Sequence, residues 1–204
     1  PGARVAFPPP EGGVAERLKA MTWGRQAETS VRIERAQNPA ARITAAMEAG
    51  IESGRITKAD LFDNNYVPIA GTNPQHYRTR NLEFLELILP EIQEEVLASD
   101  PEMALCCAVD LNGYLPVHNR IYSHPQRSDD PEWNVAHCRN RRIFDDRAGL
   151  SAARNTRPYL IQTYARDMGG GVTVMMKEID APIHVHGRHW GGLRTTYKQA
   201  GPQA

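Results

Sequence analysis

From Arg157 onward the chain reads as three extended runs, RPYLIQTYARD, GVTVMMKEIDAPIHVHG and HWGGLRTTYK, separated by the GGG at 169–171 and by Gly187-Arg188. Joints this short connect antiparallel neighbours, so this stretch constrains the fold more than any other. Upstream, MALCCAVDLNGYLPVHN holds an apolar run, a turn at 110–113 in which Asn112-Gly113 supplies positive-φ positions, and a second short extended piece. That pattern predicts a β-hairpin. Hairpin and three runs together predict a five-stranded antiparallel sheet; helical patterns precede it, so the expected class is α+β. Along PYLIQTYARD, alternation puts Tyr159, Ile161 and Thr163 on one face and Leu160, Gln162 and Tyr164 on the other, and the second set is expected to line a polar pocket.

The helical half carries several start signals. PGARVAFPPPEGG reads as a linker, and residues 14–36 allow helix without compelling a continuous one. We therefore divide the chain into a lead-in over 1–37 and a folded domain over 38–204. Asn38-Pro39 predicts a helix start, Ala40, Ile43, Met47 and Ile51 follow as a narrow apolar seam, and Gly54 sits where a left-handed residue would end it. Such a seam fits a dimer contact as well as packing on its own domain. Thr57 and Asp60 resemble a capping box. Asn73-Pro74 repeats the start signal ahead of a stripe of Leu82, Leu85, Ile88, Leu89, Ile92, Val96 and Leu97, with a kink or break expected at Pro90. Asp130-Pro131 opens another short helix through Cys138.

Charge limits the partners. Lys and Arg number 24, as do Asp and Glu, so formal charge is zero across 204 residues and no bulk field gathers nucleic acid or an anionic membrane. No segment approaches the ~18 apolar residues of a membrane span. The cysteines number three, two of them adjacent, which argues against a disulfide framework and for a reducing, cytoplasmic setting. Because Pro1 is no native start without processing, the sequence is expected to be a piece of a longer protein.

The order helix, long helix, hairpin, helical connection and three strands resembles the Cache and PAS superfamily of sensor domains. Asp110, Gly113 and Tyr114 match an Asp-x-x-Gly-Tyr turn, and residues 181–191 match a terminal API-x-V-x-GRHWG pattern. More narrowly, the blocks from LPEIQEEVLASD to GGLRTTYK are similar to a domain of bacterial methyl-accepting chemotaxis proteins, over about residues 40–198. The resemblance implies a non-enzymatic, cytoplasmic sensing role, often C-terminal to the signalling helices, with those helices as partners and a homodimer formed through the N-terminal helices. It does not supply a ligand.

The ligand is argued from side chains. Arg139, Arg141, Arg142, Arg147, Arg154 and Arg157 crowd one segment beside Asp145 and Asp146. Two guanidiniums converging on a pocket would read a small organic anion, whereas pairing with the local aspartates would make the block structural. Our candidate ligand residues are Arg142, Asp145, Tyr159, Gln162, Tyr164, Lys177, Asp180 and His184. His184, His186 and His189 raise a zinc alternative, and His118, His124, His137 or a cysteine a non-covalent haem alternative, making a redox sensor; covalent haem lacks its Cys-x-x-Cys-His. The expectation is that no cofactor is held. Cys106 and Cys107 in an apolar run read as buried hydrophobes in place of nucleophiles. A ligand-free dimerisation module is the third reading.

Overall fold

The computed structural model describes residues 14–168 and 171–198. The proposed linker over 1–13 lies outside them. The chain divides into two compact units after Arg32. The first holds the opening of helix α1 (Val14–Glu52), where Glu28 and Arg32 form an i,i+4 pair at 2.7 Å. The second begins at Ile33 and contains every element that follows.

Helix α1 does not start at Asn38. It runs through Pro39, whose missing N–H costs one helical bond. Ala36, Ala40, Ile43 and Met47 are all buried around that point, so packing outweighs the local start signal. The helix ends at the expected place: Gly54 is left-handed (φ 72°), and the Arg55 N–H donates to Gly50 O at 2.9 Å. Helix α2 (Lys58–Leu61) is capped by Thr57, whose Oγ1 accepts from Asp60 N at 3.0 Å. Asn73-Pro74, by contrast, opens no helix. Ile69 O accepts from Thr72 Oγ1 and Gln75 Nε2, and these bonds close a loop between two short paired strands, β1 (Val67–Pro68) and β2 (Tyr77–Arg78).

Helix α3 (Leu82–Ala98) carries the expected stripe and passes unbroken through Pro90. Leu85 and Leu89 before the proline, and Ile92 and Val96 after it, bury in the same core, which holds both halves on one axis.

The sheet has four strands, not five, in the order β3-β8-β7-β6, all antiparallel. They are β3 (Met103–Asp110), β6 (Leu160–Asp167), β7 (Thr173–Val185) and β8 (Arg188–Lys198). The missing strand is the second arm of the expected hairpin. β4 (Tyr114–Leu115) leaves β3 and pairs instead with β5 (Arg142–Ile143). Two side chains occupy the outer edge of β3 in its place: Asn119 Oδ1 accepts from Cys106 N at 2.8 Å, and Gln93 Oε1 accepts from Ala108 N at 3.0 Å. With those donors satisfied, no fifth strand is required.

Between β5 and β6 lie helix α5 (Arg147–Ala153) and, before β5, helix α4 (Pro131–His137), capped by Asp130 as the sequence predicts. Cross-strand partners share a face. Met103, Cys106, Ala108, Ile179, Ala181, Ile183, Leu193 and Tyr197 pack with α1 and α3 in the larger core. Leu105, Cys107 and Val109 face the other way, into a smaller cluster with Leu115, Ala153, Tyr122 and Phe144. Gly192 lets α5 close on that face: a Cβ there would lie 2.5 Å from Ala152 O.

Candidate functional site

A cleft of about 520 Å³ opens where the edge strand β6 meets the connection that runs from α4 through β5 to α5. Its basic lining is Arg139, Arg142, Arg147 and Arg166; Phe144 and Tyr164 supply aromatic surface, and Asp146 and Asp167 the acids. Asp146 is engaged as the cap of α5, accepting from Ala148 N and Gly149 N at 2.9 and 3.0 Å.

Three of the arginines are positioned by rings and carbonyls, not by carboxylates. Arg139 and Arg142 each donate to Val135 O, at 3.1 and 3.2 Å, and their guanidinium carbons lie 4.9 and 5.0 Å from the Phe144 ring centre. Arg166 is 3% exposed and sits 4.4 Å over the Tyr122 ring. Among the described residues none of the three forms a salt bridge, and the buried Nε atoms of Arg139 and Arg166 have no hydrogen-bond acceptor. Burial, with the neighbouring charges of Arg166 and Arg142, drives Arg139 down to about 9. The same field reaches inward. His118, buried beside these arginines, is held neutral, well below its ordinary range, first by burial and then by Arg139, Arg166, Arg194 and Arg142. Burial pushes the Cys107 thiol up to about 12 against the pull of Arg194, Arg166 and Arg139. Cys107 is therefore a thiol at neutral pH, not a nucleophile.

Beneath the cleft lies a buried polar lattice on the same sheet face. Arg194 holds Glu178 through both carboxylate oxygens at 2.9 Å, Thr196 Oγ1 donates to Glu178 at 2.7 Å, and Gln162 Nε2 donates to Glu178 and Asp180 at 3.1 and 2.9 Å. Burial and the charge of Glu178 hold the Asp180 carboxyl well above the carboxylate range, while Arg194 keeps Glu178 ionised. The charges in this lattice balance: one guanidinium, one carboxylate and one neutral acid. It has nothing left over for an anion, unlike the arginines above it.

The candidate residues thus separate. Arg142 and Tyr164 line the cleft. Gln162 and Asp180 lie on the same face but are spent in the lattice. Asp145 is exposed and outside the cleft lining. Tyr159, 42% exposed, points to the opposite face, as does Lys177, which pairs with Thr163 and Tyr197. His184 is at the far end of β7, stacked 4.9 Å from His189. His186 does not join them; it is left-handed (φ 46°) and its N–H donates to Glu48 at 2.7 Å. No group of three or more metal-binding side chains assembles among the described residues. Trp190 packs inside the larger core and donates to Leu61 O at 3.0 Å.

The residue missed by inspection of the arginine block was Arg166. Its signal was present: it stands two beyond Tyr164 and four beyond Gln162, so alternation alone places it on the inward face. A second cleft, also about 520 Å³, lies between α2, β2 and α3, where Glu86 and Arg141 pair at 2.5 Å and Asp60 takes up Arg80 at 3.4 Å. Two of its three arginines are thus paired with acids, and it carries no excess of positive charge. Compared with known proteins, the chain matches no family model and no curated protein.

Proposed function

We propose that this chain is a non-enzymatic sensor domain of PAS/Cache type that binds a small anion in the cleft between β6 and the α4–α5 connection. The observation that carries the reading is the convergence of Arg139, Arg142 and Arg166 on one cleft where, among the described residues, none of them forms a salt bridge. Buried guanidiniums left unpaired are costly, and an anion that accepts from them offsets that cost. The further assignment to a bacterial chemotaxis receptor, in the cytoplasm, with signalling helices as partner and a homodimer formed through the N-terminal helices, rests on the resemblance of residues 40–198.

A route for the signal fits this reading. The carbonyl of Pro158, at the foot of β6, accepts from Gln37 Nε2 of α1 at 3.1 Å, and Arg42 of α1 pairs with Glu95 of α3 at 2.7 Å. An anion that draws β6 toward the connection biases the packing of α1 by population shift. The test is titration calorimetry of a carboxylate and amino-acid panel, repeated on Arg142→Ala. Loss of one charge-assisted contact lowers affinity by roughly 10- to 100-fold; unchanged affinity for every binder removes Arg142 from the site and sinks the reading.

A further inference from the structure

The cleft's charge narrows the ligand class. Four arginines line it, Arg139, Arg142, Arg147 and Arg166, against two aspartates, Asp146 and Asp167. The excess is two positive charges. A singly charged ligand would leave one of them in a partly desolvated space walled by Phe144 and Tyr164, where charge is poorly screened. A neutral or zwitterionic ligand would leave both. From this excess, carried by guanidiniums of which Arg139, Arg142 and Arg166 form no salt bridge among the described residues, we infer that the cleft is selective for a compact dianion: a short dicarboxylate or a tetrahedral oxyanion. A planar carboxylate takes one guanidinium fork bidentately and keeps lone pairs for a second donor, which suits Arg139 and Arg142 on their shared Val135 carbonyl and Phe144 ring. Arg166, on the opposite wall over Tyr122, then addresses the second charge.

The size of the cleft agrees. About 520 Å³ admits a ligand of modest length, within the range of ordinary small-molecule sites.

This inference rests on the anion reading above, and its test separates the two. The full 204-residue chain is titrated at matched ionic strength with succinate, malonate and sulfate as dianions, and with acetate and propionate as monoanions. The expected result is that at least one dianion binds tenfold or more tightly than either monoanion; succinate over sulfate assigns the dicarboxylate class, and the reverse assigns the tetrahedral class. Arg147→Gln, at an exposed position on the rim, removes one unit of the excess and should cut the dianion preference several-fold. Monoanions binding as tightly as dianions, or a preference untouched by Arg147→Gln, overturns dianion selectivity while leaving an anion site in place. Binding of no anion at all overturns both.

Discussion

Asp180 shows how one residue's environment decides its chemistry. Its carboxyl is buried beside an ionised Glu178 and held well above the ordinary carboxylate range of about 4. A folded-state value raised in this way means stability is fully present below the ordinary value and is lost as pH rises toward the folded one. At neutral pH the wild-type chain therefore carries a cost that an amide, which cannot ionise, does not. Asp180→Asn keeps an acceptor for Gln162 and a donor for Glu178, so its melting temperature should exceed wild type at pH 7–8 and converge with it near pH 4. About 2–4 °C is expected for each kcal/mol relieved; a difference that is flat with pH, or reversed, contradicts the protonated state. Glu178 behaves oppositely. Glu178→Gln strips the carboxylate that pairs with the buried Arg194 guanidinium and should cost about 3–5 kcal/mol in denaturant unfolding.

At the scale of elements, the legible parts are those where local pattern and burial agree. The three terminal strands, the α2 and α4 caps and the Gly54 stop all follow from spacing and turn chemistry that nothing distant opposes. Where tertiary contacts compete, the local reading loses. Pro39 and Pro90 stay inside helices because apolar residues on both sides of each share a core, and Asn73-Pro74 forms a loop because its neighbours bond across it. The five-strand expectation failed for a reason no local pattern reveals: two amides, Gln93 and Asn119, sit on the edge of β3. Asn119→Ala leaves the buried Cys106 N–H without an acceptor and should destabilise by about 1–3 kcal/mol in urea unfolding. Pro90→Ala should raise stability by up to ~3 kcal/mol, since it restores a helical bond in a segment already straightened by its packing. A loss on Pro90→Ala would show that the ring itself packs usefully.

Across the whole molecule, zero formal charge conceals an uneven distribution. Several buried or half-buried charged groups find an opposite charge: Arg35 pairs with Asp100, Arg141 with Glu86 and Arg194 with Glu178. Arg139, Arg142 and Arg166 in the cleft form no salt bridge among the described residues, and this contrast is the basis of the functional reading. The arginine block was legible in the sequence; that Asp145 is exposed and Asp146 caps α5, leaving the block without internal counter-ions, required the fold. Side-chain direction explains the remaining misses: alternation already sets Tyr159 opposite Gln162 and Tyr164, and Lys177, paired with Thr163, shares that opposite face, while His184 lies past a register shift between Ile183 and His184. The most direct test follows the arginine side chains themselves. In ¹H–¹⁵N spectra of the chain titrated with its tightest-binding anion, the guanidinium N–H resonances of Arg139, Arg142 and Arg166 should move as these groups gain an acceptor, while the Nε–H of Arg194, already bonded to Glu178, stays in place. Saturable binding that leaves the Arg139, Arg142 and Arg166 signals unmoved would contradict the account.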